Sequence, residues 1–455
     1  MTAASSPGLT ILATRAAAAV DRERAVADLA GLVRVPSITG SEDAVQEVMA
    51  GLMGDAGLEV ERIAVDPVAF ADDPDFPGAE MPRTTLPIVV GRMSGTRPGP
   101  RVLLVGHVDV VPIGDPTNWT DDPFGATVRD GRLFGRGACD MKGGVAAILA
   151  ALRAIVETGA AEHLAGDVRF VSVPSEEDGG QGMLAAIRAG CTGEMAIITE
   201  PTGLEVVIAH AGAITFRLVV PGKAAHASRR TEGVSALEKL GVLLAALAAD
   251  EARRNAAETD PLMTALGLPY PTIVGTVAGG DWASTVIDHV VAEGRYGVRL
   301  GQTAREAESE LRVVIEAACA ADPFLRDHPA TVAITGGRFS SARIAADHPL
   351  PVGLARTVEA VTGRRPGLIG EPYGADMRLL VNEGATPTVI FGPGDVRIAH
   401  AANEWVPLDE VETCARVLAA WLVETLRARL PSEGAGVARR TGVPPKQGSR
   451  AKAPR

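Results

Sequence analysis

The chain has 455 residues, which is too long for one small domain, and its apolar fraction of 46% is that of a globular protein with large cores. The formal net charge is -12, and six basic residues lie in the last 25 positions, so the remainder is more acidic still. This acidity, together with an aromatic content of 4%, excludes a basic groove that stacks nucleic-acid bases.

The first part of the chain alternates predicted helices and strands. Apolar residues at helical spacing predict one helix that begins in the first 20 residues and continues to Arg34. Ser41, with acidic residues after it, is predicted to cap the next helix. The predicted elements are helices 21–34, 44–57 and 145–158, strands 86–90, 101–105, 167–173 and 197–198, and a Pro-rich loop over 64–85. This alternation indicates an α/β sheet with substantial parallel pairing.

From about residue 213 the pattern changes to β-α-β-β-α-β, the order of a split βαβ sandwich. Its elements are strand 214–220, helix 235–253, strands 272–277 and 286–300, helix 303–320 and strand 331–335. The α/β pattern then resumes with helices 351–362, 376–383 and 408–430 and strand 388–391. The expected domains are a catalytic domain built from 1–212 and 339–430, a ferredoxin-like α+β domain inserted at 213–338, and a disordered basic tail at 431–455.

Cysteine usage and hydropathy predict a cytoplasmic protein. The four cysteines, Cys139, Cys191, Cys319 and Cys414, form no C-x-x-C pair, as is usual in a reducing compartment. The N-terminus lacks the basic and apolar regions of a secretory signal. No uncharged apolar stretch reaches the roughly 18 residues of a membrane span.

Polar side chains follow the predicted strands at their carboxyl ends, where open α/β sheets place ligand crevices. They are His107 and Asp109 after strand 101–105, Glu176 and Glu177 after strand 167–173, and Glu200 after strand 197–198. Imidazole and carboxylate groups without cysteine suit Zn, Co or Mn. Asp109 could itself be a ligand, or it could orient His107 from behind.

A glycine-rich run at 135–144 leads into the helix 145–158. Such a run can cradle phosphate, but it matches neither the Walker pattern nor the dinucleotide fingerprint, so a nucleotide-binding transferase is the weaker alternative. The glycines more readily let the backbone turn sharply around Asp140. Asp140 is therefore a candidate bridge between two ions about 3.5–4 Å apart.

Glu176 and Glu177 are adjacent, so in an extended chain their side chains point in opposite directions. One can ligate a metal while the other stays free as a base. A free Glu beside a metal-bound water is what amide hydrolysis needs, because it takes the proton of the water and returns it to the leaving amine.

Several motifs occur in order along the chain: Gly106-His107-Val108-Asp109-Val110-Val111-Pro112, Gly135-Arg136-Gly137 with Asp140-Met141-Lys142-Gly143, Pro174 with Glu176-Glu177, Glu200-Pro201-Thr202, Gly222 with His226-Ala227-Ser228, and His400 with Asn403-Glu404. This series, over about 25–430, resembles the di-zinc amidohydrolase superfamily of acetylornithine deacetylase, succinyl-diaminopimelate desuccinylase, aminoacylase and glutamate carboxypeptidase. The segments 292–299 and 374–378 look most like the acetylornithine deacetylase branch.

The resemblance implies a two-metal site, with Zn the first choice and Co or Mn as alternatives. The implied ligands are His107 and Glu200 for one ion, Glu177 and His400 for the other, and Asp140 between them. Glu176 would be the general acid/base, and Asp109 would hydrogen-bond His107 from behind. Metal charge and a positioned donor would stabilise the transition state.

The inserted domain would be the lid and commonly also the interface of a homodimer. His226 would stabilise the tetrahedral oxyanion, often from the partner subunit. Arg299 and Arg378 are candidate clamps for a substrate carboxylate, with an exposed basic face as the alternative for both.

The sequence therefore predicts hydrolysis of an amide in a small N-acylated amino acid or amine, with an acetylornithine-like substrate first. Removal of a succinyl or formyl group and cleavage of a dipeptide or carboxypeptidase substrate are alternatives on the same scaffold. A non-catalytic relative that retains metal is a further alternative, and the presence of Glu176 disfavours it. We expect a small-molecule partner and neither nucleic acid nor membrane.

Overall fold

The computed structural model describes residues 8–427, and the predicted tail at 431–455 lies outside them. The helices are α1 (Ile11–Ala18), α2 (Arg22–Val33), α3 (Asp43–Asp55), α4 (Pro67–Phe70), α5 (Gly143–Glu157), α6 (Gln181–Arg188), α7 (Ala236–Ala256), α8 (Pro261–Thr264), α9 (Ala304–Ala321), α10 (Pro349–Thr362), α11 (Met377–Asn382) and α12 (Leu408–Leu426). The strands are β1 (Glu59–Val65), β2 (Leu86–Ser94), β3 (Arg97–His107), β4 (Thr127–Arg129), β5 (Arg132–Phe134), β6 (Ala165–Val173), β7 (Met195–Ile198), β8 (Val206–His210), β9 (Gly212–Pro221), β10 (Thr272–Gly279), β11 (His289–Val298), β12 (Thr331–Phe339), β13 (Ala342–Arg343), β14 (Leu368–Glu371), β15 (Thr388–Ile390) and β16 (Trp405–Pro407).

The largest sheet is mixed, with the order β1-β2-β6-β3-β7-β15-β8-β13 and with β14 beside β8. Its central strands β6, β3, β7 and β15 run parallel, whereas β1 and β2 are antiparallel additions at one edge. The parallel strands are almost continuously apolar because helices cover both faces. Their carboxyl ends consequently meet at one edge of the sheet.

A second, four-stranded sheet has the antiparallel order β10-β11-β9-β12. Its buried face packs on α7 and α9 and forms a hydrophobic core separate from that of the large sheet. We call residues 212–339 the inserted unit and the remainder of the described chain the catalytic unit. The architecture is thus α/β with an inserted α+β unit, as expected, while the domain boundaries themselves stay a prediction.

Helix α5 is buried along nearly its whole length and packs on α2 and α12. Its apolar run therefore reflects a central position in the catalytic unit. Each helix that the structure describes is too short or too polar to cross a lipid bilayer.

Two local predictions near the N-terminus were wrong. The single helix expected up to Arg34 is divided into α1 and α2, because the Asp21 side chain accepts the N–H of Arg24 and starts a new helix. Ser41 does not cap α3. Glu42 occupies the N-cap position, and its carboxylate instead accepts the Gly40 N–H at 2.8 Å.

The predicted loop 64–85 carries the end of β1 and the short helix α4, and its later part crosses to the inserted unit. The Glu80 carboxylate accepts the hydroxyl of Thr215 in β9 at 3.0 Å. Gly78 lies against the backbone of Gly336 in β12 on one side and of Gly179 on the other. A Cβ at any of these three glycines would collide with a neighbouring group, so the segments meet backbone to backbone.

Gly144 in α5 and Gly51 in α3 provide a test of this packing. A Cβ on Gly144 would overlap the carbonyl oxygen of Thr199, whereas a Cβ on the exposed Gly51 would meet nothing within 4 Å. We expect Gly144→Ala to lower the free energy of unfolding by roughly 1–3 kcal/mol. Gly51→Ala should raise it by roughly 0.5–1 kcal/mol, because it removes backbone freedom from the unfolded chain.

Urea denaturation of both variants beside the wild type measures these changes. Equal stability of the two variants would contradict the close contact between Gly144 of α5 and Thr199.

Candidate metal centre

His107 is the last residue of β3 and is buried at the carboxyl edge of the large sheet. Its Nδ1 lies 3.0 Å from the backbone carbonyl oxygen of Asp109 and 3.5 Å from the Asp109 carboxylate. A hydrogen bond from Nδ1–H to that carbonyl leaves Nε2 free to face the site. Nε2 lies 3.2 Å from Asp140 Oδ1 and 3.6 Å from Glu200 Oε1.

Asp140 lies in a kinked turn just before α5, and the Asp140–Met141 peptide bond is cis. Its two carboxylate oxygens face different imidazoles. Oδ1 faces His107, and Oδ2 lies 3.3 Å from Nε2 of His400. Asp140 is therefore the residue shared by two groups of possible ligands.

The second group consists of Asp140, Glu177 and His400. His400 follows the last parallel strand and adopts a φ of 62°, and its Nε2 lies 3.1 Å from Glu177 Oε2. In each group the possible ligand atoms all lie within 4.8 Å of one another. The structure thus brings together the five residues that the sequence predicted as ligands.

Asp109 positions the turn that carries the two adjacent glutamates. Its carboxylate accepts the backbone N–H groups of Glu176 at 3.1 Å and Glu177 at 3.2 Å, and the Thr39 hydroxyl at 3.0 Å. Because it is fully buried, these donors replace the water that an ionised carboxylate needs. Asp109 therefore holds the glutamate turn as well as His107.

Sequence reasoning assigned no role to Arg136 and Glu404, although both stand inside the quoted motifs. They form a buried ion pair at 2.6 Å. The other carboxylate oxygen of Glu404 accepts the N–H groups of Cys139 and Asp140, and Arg136 also donates to the carbonyl of Pro112 at 3.2 Å. The pair ties together the loops that carry the candidate ligands. In the sequence, the signal that could have identified this ion pair is the presence of two opposite charges beside predicted ligands.

Burial and mutual repulsion make three carboxylates of this cluster hard to ionise, those of Glu176, Glu177 and Glu200. For Asp140, hydrogen bonds from His107 and His400 outweigh burial and lower the pKa of the carboxyl. Burial, with the Asp140 carboxylate adding to it, raises the pKa of Glu177 to about 7. Burial raises the pKa of Glu200 to about 8. Burial and the Asp376 carboxylate raise the pKa of Glu176 well above its usual range. A cation among these groups would offset the repulsion.

The pKa values of the two imidazoles are raised as well, which in their case favours the charged form. Hydrogen bonds to Asp140 and Glu177 raise the pKa of His400 to about 11. Burial opposes protonation of His107, but the charge of Glu200 and the bonds to Asp109 and Asp140 outweigh it, so its pKa is also raised. Both imidazoles therefore lie in strongly negative surroundings. A set of nitrogen and carboxylate donors with this potential fits a pair of borderline divalent ions such as Zn²⁺.

The other three predicted site residues lie apart from the cluster. His226 is exposed in the inserted unit, where its Nδ1 contacts the hydroxyl of Ser228 at 2.9 Å. Arg299 pairs with Glu310 at 3.2 Å. Arg378 is buried, donates to the backbone carbonyl of Ala375, and covers the ring of Phe339. Within residues 8–427, none of the three contacts the five clustered residues by a hydrogen bond or ion pair.

Known proteins of similar sequence hydrolyse amides. A succinyl-diaminopimelate desuccinylase of Methylobacterium nodulans is 33% identical over 377 residues, which cover 80% of this chain and 86% of the relative. An N-formyl-4-amino-5-aminomethyl-2-methylpyrimidine deformylase of Bacillus subtilis is 25% identical over 402 residues, 84% of this chain and 89% of the relative.

The fold is shared with solved structures. The dipeptidase Dug1p of Saccharomyces cerevisiae superposes with a TM-score of 0.71 at 13% identity, covering 92% of this chain and 99% of that chain. The fold and the clustered donors define a metallohydrolase. Residues 103–424 match the sequence model of peptidase family M20/M25/M40, and the chain belongs to this family. It is a hydrolase that acts on amide bonds.

The metal content of the wild type and of two variants tests whether two metal ions share Asp140 as a ligand. With zinc added back after chelation, we expect two equivalents per chain for the wild type and about one for His400→Ala, which removes a ligand from one group. Asp140→Asn should lose both, because an amide oxygen is a weaker ligand and both groups use this residue. Elemental analysis by mass spectrometry measures the ratio.

Two equivalents retained by Asp140→Asn, or fewer than one bound by the wild type, would contradict a dinuclear site bridged by Asp140.

Proposed function

We propose that the chain is a two-metal deacylase that removes a short acyl group from a small N-acylated amino acid or amine. The observation that carries this proposal is the position of Asp140, whose two oxygens face one imidazole each. His107 and Glu200 would hold one ion and Glu177 and His400 the other. When bound, the ions would polarise the scissile carbonyl and lower the pKa of water.

Glu176 would be the general base in this reaction. Its backbone is held by Asp109, and its side chain is nearly buried beside the candidate ligands. Its raised pKa suits a group that takes a proton from water and later gives it to the leaving amine. His107, Glu176 and Glu200 are buried, which strengthens the electrostatic contacts among them.

The identity of the acyl group has three alternatives in this proposal: acetyl, succinyl and formyl. The motifs resemble the acetylornithine deacetylase branch, which supports an acetyl group. The names of the two relatives support succinyl and formyl groups equally well. We propose the acetyl amide first, with the others as alternatives that one substrate panel separates.

His226 remains the proposed donor to the tetrahedral oxyanion. Because it is exposed and does not contact the candidate ligands, it would act from a partner subunit in a homodimer formed through the inserted unit. Sedimentation equilibrium tests the dimer, and a monomeric mass at assay concentration would remove this role in trans.

Replacing Glu176 by Gln tests the general base. Glu176→Gln keeps the shape of the side chain but cannot accept the proton, so kcat should fall roughly 10²–10⁴-fold while zinc content stays at two equivalents. Glu157→Gln, the same change at the exposed end of α5, is the control and should leave kcat unchanged. A Glu176→Gln enzyme with near-normal kcat would assign the base to another residue.

A panel of N-acetyl, N-formyl and N-succinyl derivatives of one amino acid tests the acyl group. With cobalt- or zinc-loaded protein, we expect the highest kcat/KM for the acetyl derivative, measured by release of the free amine. A higher value for the succinyl or formyl derivative would replace acetyl by that group. No release from any member, dipeptides included, would contradict the proposed deacylase.

A further inference from the structure

The segment 77–83, which we call the strap, lies between the inserted unit and the glutamate turn. On the side of the inserted unit, the Pro77 carbonyl accepts the N–H of Arg338 in β12 at 2.7 Å. The Glu80 carboxylate accepts the N–H of Gly337 at 3.3 Å, in addition to the hydroxyl that it binds in β9. The strap is therefore bonded to two strands of the inserted unit.

On its other side the strap is bonded to Asp178 of the glutamate turn. The N–H groups of Glu80 and Met81 donate to Asp178 Oδ2 at 3.4 and 3.2 Å. Arg83 Nη2 donates to Asp178 Oδ1 at 3.2 Å, and the Ser175 hydroxyl donates to the same oxygen. Asp178 thus joins the start of the glutamate turn to the strap.

Arg83 holds Asp178 against a second buried carboxylate, that of Glu42 at the start of α3. Arg83 Nη1 lies 3.2 Å from Glu42 Oε1, and the side chains of Arg83, Asp178 and Glu42 are only 3%, 3% and 1% exposed. Among the described residues, Arg83 is the only basic group within 4.0 Å of either carboxylate. A guanidinium presents its donors in a rigid fork, so Arg83 fixes the distance between the two carboxylates. The glutamate turn is therefore fixed relative to α3.

Glu176 itself has no comparable anchor. None of the hydrogen bonds and ion pairs within residues 8–427 involves its carboxylate, although its backbone N–H is held by Asp109. Glu177, by contrast, contacts His400 at 3.1 Å, and bound ions would hold it as a ligand. The reach of the Glu176 carboxylate consequently depends on where the backbone of the turn lies.

We infer that Arg83 is a positioning residue for Glu176. Through Asp178 it fixes the turn from which the base reaches the metal centre, and Glu80 extends this hold to the inserted unit. A movement of the inserted unit would then move the base. The inference rests on the proposed function, because the general-base role of Glu176 comes from there. A misplacement of about 1 Å can cost a reaction roughly 10²-fold in rate, so the effect belongs in kcat.

Two substitutions of Arg83 test the positioning role. With zinc-loaded full-length protein and the amide that the wild type prefers, Arg83→Gln should lower kcat roughly 10–100-fold, with KM changed little and zinc kept at two equivalents. Arg83→Lys keeps the charge without the fork and should recover part of the loss. Arg188→Gln is the matched control, because Arg188 pairs with Asp73 and Asp75, which precede the strap in the same loop. It should behave as the wild type.

A double variant separates positioning from general support of the fold. If Arg83 acts through Glu176, Arg83→Gln should lower kcat no further in the Glu176→Gln background, because the group that it positions is already lost. Losses that multiply in the double variant would overturn the inference. A loss of zinc from Arg83→Gln would also overturn it and make Arg83 a support for the ligand Glu177.

Glu80→Ala tests the connection to the inserted unit. Glu80 is exposed, so its removal leaves no buried charge, and this variant keeps the test available if Arg83→Gln does not fold. Because two hydrogen bonds to the inserted unit are lost, kcat should fall roughly 3–10-fold, with KM and zinc content changed little. A wild-type kcat for Glu80→Ala would overturn the coupling of the base to the inserted unit.

Hydrogen exchange of the backbone amides in peptides that span 174–180 follows the turn without any substrate. In Arg83→Gln these amides should exchange roughly 10-fold faster, while those of α5 stay unchanged, because a charged hydrogen bond to the turn is lost. Unchanged exchange at 174–180 would overturn the positioning role. If the wild type hydrolyses no amide while Arg83→Gln still speeds this exchange, the deacylase proposal fails and the hold of the strap on the turn stands.

Discussion

The carboxylate of Asp140 faces two imidazoles at once, and much of the catalytic unit serves to keep it there. Three further carboxylates, those of Glu176, Glu177 and Glu200, approach the same small volume. Their repulsion destabilises the fold, and only groups that the fold holds in place can keep them together. A divalent cation removes this repulsion in the folded state alone, so metal binding would also stabilise the fold.

The ion pair of Arg136 and Glu404 shows how the loops resist that repulsion. A buried pair contributes little net stability, since both charges lose their hydration. It does fix geometry, because Glu404 accepts two backbone N–H groups at Asp140 while Arg136 reaches the loop after His107. Asp109 does the same for the glutamate turn. The ligand positions are thus set by charged groups that would not themselves touch a metal.

Much of the layout of the site could be predicted from the sequence. His107, Glu177 and Glu200 follow parallel strands, and parallel strands bring their carboxyl ends to one edge, so their proximity follows from topology. Asp140 and His400 required the motifs as well, since both lie in irregular segments. The βαββαβ order likewise predicted the second sheet.

What the sequence could not predict depends on contacts between distant residues. The sequence does not distinguish the surroundings of Arg299 from those of Arg378, and only the fold shows that Glu310 neutralises Arg299. Short strands such as β8 and β14 were missed because each gains its pairing from a distant partner. Ser41 failed as a cap for a similar reason, since the neighbouring Glu42 is drawn into an ion pair with Arg83 from the later loop.

The junction of Gly78, Gly179 and Gly336 has a consequence for how this architecture can diversify. One segment belongs to the Pro-rich loop, one follows the glutamate turn, and one belongs to the inserted unit. A side chain at Gly78 would displace the backbone of Gly336, and one at Gly179 would displace the backbone of Gly78. A side chain at Gly336 would displace the Glu80 carboxylate, which binds β9. The inserted unit and the glutamate turn therefore cannot change position independently of each other. A redesign that repositions one must rebuild all three segments together.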